Sequence, residues 1–564
     1  MSRRRRTSTG ASAPAPRPGS ASPAASIPHA ERRRDLWAGL LLAVFCALFH
    51  ARAATFGFTG TDDVMQVVEE APFLGDLSNA PKVFGRGLFI QSGARGYYRP
   101  VVTLSFMFDS QWAGPQPFAF HFTNVLLHVL TTFVLFLVAR RLGFARDVAL
   151  VMGAILVVHP STMEAASWIP ARGDDLLGLW LAGALLALLR FRDTRSPAAL
   201  AAHLVLVLTA FFTKENAVLL PVAFAAFGLW VDDDWTWIRD RRLWIGWAAA
   251  FAAWFIPWRL VMAEYVRREP GLDSALRNLP TLILCLSQAL DPFHPAALAT
   301  AADTSFVPGL LGFVAFAAAA WWTRGRARRL LVWGLGTFLL LLAPSLPVSH
   351  FLILEHRLYA PWIGLFVAGL AAAQTLAEWR GGAGRRLLHG GAAALIVMLA
   401  LLSFSYGSAF RDDDTFTAQA AGSSPRSSLA RLSRGIVLQR RGRAAEAAAE
   451  YEAALQVNPK QLRAHLNLGS IRHEQGDLPE AERLFRAELA MNPEDDLATY
   501  DLAVVLMRRG RPAESEKWLL ETVRINPGNK EALKALGEYF EMKGDATRAA
   551  AYREELRRRS PGPG

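Results

Sequence analysis

Cysteine is almost missing from this 564-residue chain: Cys46 and Cys285 are the whole complement, each inside an apolar stretch. Two isolated thiols exclude a disulfide framework and, read from spacing, a thiolate metal site. Charge is scarce as well. Asp, Glu, Lys and Arg make up 20% of the chain against 52% hydrophobic residues, where a soluble protein would carry nearer ~25% charge. The shortage is uneven. Residues 1–35 are rich in Arg, Pro, Ser and Ala, and residues 411–564 are charged throughout. The segment between them is therefore far more apolar than the mean hydropathy of +0.20 suggests. A soluble multi-domain enzyme is excluded. At ~20 apolar residues per span, the middle has room for roughly ten to twelve transmembrane helices joined by short loops.

The net charge of +12 is distributed as membrane topology demands and does not point to nucleic acid. The arginines fall in clusters between apolar runs: Arg3–Arg6 with Arg32–Arg34, Arg140/Arg141/Arg146, Arg190/Arg192/Arg195, Arg239/Arg241/Arg242, Arg324/Arg326/Arg328/Arg329 and Arg380/Arg385/Arg386. Cytoplasmic loops carry such an excess. If every cluster is cytoplasmic, an even number of passes lies between neighbours. The hydropathy fits about eleven passes. They begin at Leu36–Ala51 and His121–Val138, then continue through Val148–Val158, Leu176–Leu189, Ala198–Phe212 and Ala217–Trp230. Leu243–Met262, Val307–Trp322, Leu330–Leu342, Trp362–Leu376 and Leu388–Phe404 complete the set. Pro280–Leu290 is apolar but short and reads as re-entrant or interfacial. The expected arrangement is a multi-pass protein of the inner (plasma) membrane, with a disordered basic cytoplasmic tail over 1–35 and a membrane domain over 36–410. Residues 411–424 are expected to be a linker, followed by an extracytoplasmic domain over 425–560 and a short tail over 561–564.

That last domain repeats. Pro425, Pro459, Pro493, Pro527 and Pro561 are spaced 34 apart, and so are Gly442, Gly476, Gly510 and Gly544. A third column in the same register is Gly435, Gly469, Ala503 and Gly537. The pattern resembles the tetratricopeptide repeat, with its period of 34. It predicts about four helix pairs stacked as an α-solenoid, so the whole chain is expected to be all-α. The small residue of each first helix lets its partner pack closely. The second glycine column ends each first helix in a left-handed conformation. Large residues stand opposite the small column at Tyr451, Phe485 and Leu519, with Arg553 in the last, capping repeat.

Polar residues beside the spans are the candidate chemistry, because charge near a bilayer is costly. The first outer loop opens Gly60-Thr61-Asp62-Asp63, and adjacent carboxylates are able to act as a general base with an orienting partner. A solvated turn or helix cap is the plainer account of a lone Asp-Asp. The same loop carries Tyr97-Tyr98-Arg99-Pro100, and His121 and His128 enter the second span seven residues apart, on one helix face. Two histidines with no third ligand in reach read as interior polar partners, so no metal site is expected. Later outer connections bring His159-Pro160 with Glu164, Arg172-Gly173-Asp174-Asp175, Lys214-Glu215, and Glu355-His356-Arg357-Leu358-Tyr359. Each alone could be a snorkelling pair. Together they suggest a polar cavity on the outer face, where cations suit a lipid-linked phosphate.

In this order, and followed by the repeats, these motifs resemble the transmembrane and tetratricopeptide repeat-containing proteins. Those belong with the protein O-mannosyltransferases, among the GT-C glycosyltransferases. The resemblance implies a hexosyltransferase, with Asp62 and Asp63 as the catalytic acidic pair. It implies a polyprenyl-phosphate sugar (mannose or another hexose) as donor, Ser/Thr hydroxyls of exported protein as acceptor, and inverting transfer with Asp62 as base. Arg99, Arg172, Lys214 and Arg357 are then candidates for the donor phosphate. His121, His128, Glu164, Asp174, Asp175, Glu215, Glu355, His356 and Tyr359 are further cavity candidates. No cofactor is expected, although an acidic pair is able to hold a divalent cation; the implied partners are the lipid-linked donor and an acceptor polypeptide held by the repeats. Two other readings stand beside this one. They are a non-enzymatic membrane-anchored repeat scaffold for envelope assembly, and a GT-C enzyme glycosylating a lipid or glycan.

Overall fold

The computed structural model describes residues 29–60, 62–88, 97–263, 272–347, 352–353, 355–380 and 382–559. Most of the basic tail and the final tail 561–564 lie outside them. The last residues of the expected tail are helical, since the first helix already begins at His29 and runs to His50. The described chain is almost entirely helical. Its one small sheet pairs Ala299–Thr300 with Leu352–Ile353.

Six segments are long and apolar enough to cross a membrane: Ala30–Thr55, Pro117–Arg141, Arg241–Met262, Gly325–Ser345, Glu355–Glu378 and Gly382–Phe410. A seventh is the pair Arg146–Val158 and Pro160–Ser167, bent by 63° at His159. Pro160 supplies the break, because its ring cannot continue the preceding helix. The other expected passes are shorter or carry charge. They are Arg172–Thr194, Pro197–Phe211, Glu215–Val231 and Val307–Trp322, with Thr281–Leu290 as a short apolar helix beside the last. The helices Gly325–Leu342 and Tyr359–Glu378 meet backbone to backbone, since a Cβ at Gly334 would stand 2.4 Å from the Gly364 carbonyl oxygen. Small residues permit such crossings in membrane bundles.

Basic clusters from different connections gather at one end of this bundle. Asp35 pairs with Arg140 at 3.0 Å and Arg146 at 2.6 Å. Arg141 pairs with Asp193, Arg192 with Asp232, Arg329 with Asp233 and Arg385 with Asp147. These ion pairs bring the connections around residues 35, 140–147, 192–193, 232–233, 329 and 385 close to one another at that end.

Two expected irregular regions are structured. The connection expected to be the first outer loop contains the helix Pro100–Ala113. The expected linker holds the helix Asp413–Ser423, started by a capping box in which Asp412 accepts from the Thr415 backbone N–H. Its Asp414 pairs with Arg434 and Arg441, and Asp413 with Arg441. The linker is therefore a docking helix for the repeats. The repeats form four helix pairs: Ser428–Arg440 with Ala444–Val457, Ala464–Glu474 with Leu478–Met491, Asp496–Arg508 with Pro512–Ile525, and Lys530–Met542 with Ala546–Arg559. Gly442, Gly476, Gly510 and Gly544 all have φ between +74° and +83°. A Cβ at Gly435 would lie 2.4 Å from the Tyr451 ring, and one at Gly469 2.7 Å from Phe485, so both columns have the physical reason expected of them.

Candidate functional site

The adjacent carboxylates Asp62 and Asp63 have separate environments. Asp63 is buried and serves the loop: its Oδ2 accepts from the backbone N–H of Thr59 and from Thr59 Oγ1 at 3.1 Å, and its Oδ1 from the N–H of Val64. Asp62 is half-buried, and its carboxylate accepts no hydrogen bond from any described residue. Burial and the neighbouring Asp63 push it up to about 6, against the pull of the Arg357 guanidinium. The plainer account of the pair, a helix cap, fits Asp63 alone. Gly60 turns the chain between Thr59 and the pair with φ +74° and leaves no room for a side chain, since a Cβ there would stand 2.6 Å from Asp413 Cβ. Next to it, Gly57 donates to the Arg411 carbonyl at 2.8 Å. The acidic loop is thereby packed against the chain leading into the repeats.

Later connections converge on this loop. Trp168 Nε1 donates to Thr59 Oγ1 at 2.9 Å, and the Trp168 ring packs 5.0 Å from His356. His356 is held in turn by Glu164, which takes its backbone N–H at 2.9 Å and lies 3.0 Å from its Nδ1. Glu355 points the other way, accepting from Gln288 and from the backbone of Ala296. Lys214 Nζ sits 2.6 Å from Asp174, with both nearly buried. Burial lowers the Lys214 ammonium to about 8; Arg99 and Arg357 act in the same direction, and Asp174 opposes them. Arg99 pairs with Glu215 at 3.0 Å and covers the Tyr97 ring. Arg357 forms no hydrogen bond or ion pair with a described residue while acting electrostatically on both Asp62 and Lys214. The sequence-selected Asp62, Asp63, Glu164, Asp174, Lys214, Arg99, Glu215, His356 and Arg357 are therefore linked by contacts and electrostatics, with Glu355 turned away.

Others are not available to a substrate. Arg172 was expected among the phosphate ligands, but it is fully buried. It pairs with Asp109 at 2.8 Å and also donates to Asn124, Ser105 and the Phe120 carbonyl. Its role is internal. It fixes the start of the helix Arg172–Thr194 against Pro100–Ala113 and Pro117–Arg141. His121 is likewise internal, with Nε2 3.0 Å from the Gly57 carbonyl. His128 Nδ1 lies 2.6 Å from the Tyr359 hydroxyl, and both are buried. Asp175 is fully buried with neither carboxylate oxygen hydrogen-bonded among the described residues. Sequence reasoning missed Asp109 and Trp168, whose partners Arg172 and Thr59 are distant in the chain, and Thr59 itself, which joins Asp63 to Trp168. It also missed His50, one helical turn after Cys46, and the surroundings of that cysteine are correspondingly less apolar than expected.

Residues 108–260 match the family model described as dolichyl-phosphate-mannose-protein mannosyltransferase. Residues 432–496, 474–530 and 500–563 match that of the tetratricopeptide repeat. The chain is similar to "Protein O-mannosyl-transferase Tmtc1" of Drosophila melanogaster, 34% identical over 129 residues, which are 23% of this chain and 15% of that protein. It is also similar to "Protein O-mannosyl-transferase TMTC1" of Mus musculus, 34% identical over 146 residues, 24% of this chain and 15% of that protein. The alignments thus span only 15% of the length of these relatives. Among solved structures, a crystal structure of MamA is 19% identical, with a TM-score of 0.25, over 26% of this chain and 84% of that one. A mannosyltransferase-type segment among membrane-length apolar helices, with a tetratricopeptide array behind it, makes the chain similar over these parts to the transmembrane and tetratricopeptide repeat-containing O-mannosyltransferases.

Proposed function

We propose that the protein is a membrane glycosyltransferase that moves a hexose, mannose in the first instance, from a polyprenyl-phosphate donor to Ser/Thr hydroxyls of exported proteins. The observation that carries this reading is the half-buried Asp62 carboxylate, without a hydrogen-bond partner among the described residues and within the electrostatic reach of the uncommitted Arg357. A carboxyl near 6 is ionised at neutral pH yet basic enough to take a proton as the acceptor oxygen attacks. The oxygen bonds to the anomeric carbon, the carbon–oxygen bond to phosphate breaks, and the phosphate leaves with the electron pair. One displacement inverts the configuration. Arg357, with Lys214 and Arg99 behind it, supplies the positive field for the phosphate. Asp63 orients the loop that carries the base.

The reading also assigns orientation. The paired arginine clusters mark the cytoplasmic end of about eleven passes in the plasma membrane, and Asp62 and the repeats face outwards. A cleft of about 470 Å³ lies between residues 287–305 and the helix Asp413–Ser423, with Gln288 on its wall and Glu355 behind Gln288. An acceptor polypeptide passing from the repeats to Asp62 would use this side of the molecule.

The test is transfer in membranes carrying wild type, Asp62→Asn or Asp63→Asn at equal expression, with intact-mass analysis of exported proteins. Hexose addition is expected to fall at least about 100-fold in Asp62→Asn. Unchanged addition with both carboxylates neutralised overturns the reading.

A further inference from the structure

Away from the acidic loop, three metal-ligating side chains meet inside the membrane body. Cys46 and His50 lie one helical turn apart on the helix His29–His50, and His128 faces them from Pro117–Arg141. The Cys46 sulfur and one nitrogen of each ring all lie within 4.8 Å of one another. The three side chains are buried, at 0%, 1% and 0% exposure respectively.

The hydrogen bonds around the group leave one nitrogen of each ring over. His50 Nε2 lies 3.0 Å from the Val157 carbonyl, a pure acceptor, so this nitrogen carries the proton and Nδ1 keeps its lone pair. His128 Nδ1 is engaged by the Tyr359 hydroxyl at 2.6 Å, leaving Nε2. His50 Nδ1 and His128 Nε2 have no hydrogen-bond partner among the described residues. Two orphaned imidazole nitrogens in a dry interior are each costly if nothing binds them. The Thr132 hydroxyl stands 3.9 Å from the sulfur and is placed to donate to a thiolate. Bound metals are held in this way: each ring donates its other N–H to a carbonyl or hydroxyl, which sets tautomer and orientation. The packing alternative, an edge-to-face pair of histidines with rings 4.8 Å apart, explains the ring contact but leaves both nitrogens unsatisfied.

We propose that Cys46, His50 and His128 form a three-coordinate site for a soft cation, and that the cation is Cu(I). Thiolate and imidazole are soft to borderline ligands, a set that suits copper and zinc and not Mg²⁺ or Ca²⁺. Charge separates the first two. Binding displaces the Cys46 proton, so Cu(I) with one thiolate and two neutral imidazoles has no net charge. Zn(II) in the same place would leave a positive charge inside an apolar bundle, where the cost is high. No carboxylate is among the converging atoms to offset it.

The test uses the full chain without an affinity tag, purified in detergent under anaerobic reducing conditions and titrated with Cu(I) against a competing chromophoric chelator. Wild type is expected to retain one Cu(I) per chain, and X-ray absorption to show one sulfur and two nitrogen scatterers. Cys46→Ser and His50→Gln should each weaken retention at least about 100-fold. Cys285→Ser, which removes the other buried thiol, should leave it unchanged. Circular dichroism and gel filtration identify variants that misfold, and His128→Gln gives a third, independent ligand removal. Retention that survives Cys46→Ser, or no copper in wild type, overturns the site. Retention of Zn(II) in place of Cu(I) overturns the copper assignment.

Discussion

Thr59 holds Asp63 and Trp168 through one hydroxyl: Oγ1 donates to Asp63 Oδ2 at 3.1 Å and accepts from Trp168 Nε1 at 2.9 Å. Through Trp168 the link reaches His356 and Glu164. Three separate connections are thereby fixed relative to Asp62, which itself remains unbonded among the described residues. A catalytic base profits from such a frame, because small misplacement lowers rate more than it lowers binding.

Thr59→Val tests the frame. It removes both hydrogen bonds with little change in volume and leaves the Trp168 N–H buried without an acceptor. The expected result is a fall of about tenfold in kcat, equal to about 1.4 kcal/mol, with KM for the lipid donor within about twofold. Thr59→Ser, which keeps the hydroxyl, should restore most of the rate. Equal loss in both variants would contradict a positioning role.

The pH profile follows from two shifted groups. Asp62 is raised to about 6, so it is protonated and unable to act as base below that pH. Lys214 is lowered to about 8, so its positive charge is lost above that. Transfer should therefore rise through about pH 6, hold a plateau, and fall through about pH 8. Lys214→Arg keeps its charge at all these values and should remove the alkaline limb while leaving the acidic limb in place.

Asp62 should also be a stability liability. A carboxyl whose folded pKa lies above its unfolded value binds protons more tightly when folded, so ionising it destabilises the fold. The penalty is absent below about pH 4 and complete above about pH 6. Asp62→Asn is expected to raise the thermal midpoint at pH 7, by the equivalent of about 1–3 kcal/mol after allowing for its partial exposure. At pH 4 the two proteins should melt together. A lower midpoint for the variant at pH 7 would remove this account of the site.

The repeats were legible in the sequence because their determinants are local and recur: one left-handed glycine per period, and one small residue under each large ring. Gly435 under Tyr451 is sixteen residues away within a single helix pair. The adjacency of Asp62 and Asp63 was legible too, but their different surroundings were not, because Thr59 and Val64 engage only Asp63. What failed was pairing across the bundle. Arg172 looked available because its partners, Asp109 and Asn124, are 63 and 48 residues distant, and no periodicity connects them. Cys46 and His50 are a local pair, but only the packing of His128 gives that pair a meaning. The helix within the expected linker was not legible, because Asp412 and Thr415 form a capping box in a segment with almost no apolar periodicity.

Arg172 supplies the sharpest contrast between a structural and a functional charge. Its guanidinium and the Asp109 carboxylate are both fully buried, and Thr123 adds a hydrogen bond to Asp109 at 2.6 Å. Removing one partner of such a pair strands the other, at a cost of about 3–5 kcal/mol. Arg172→Met should therefore lower the thermal midpoint in detergent and reduce the amount of folded protein. The double variant Arg172→Met/Asp109→Leu, which removes both charges, should recover most of that stability. A phosphate-binding arginine would behave differently: its loss would raise KM for the donor and leave the midpoint alone, and the second substitution would rescue nothing. Arg357→Met, by contrast, is expected to keep the wild-type midpoint and lose transfer by at least about tenfold. The pair of melting curves and the donor KM values decide between the two roles.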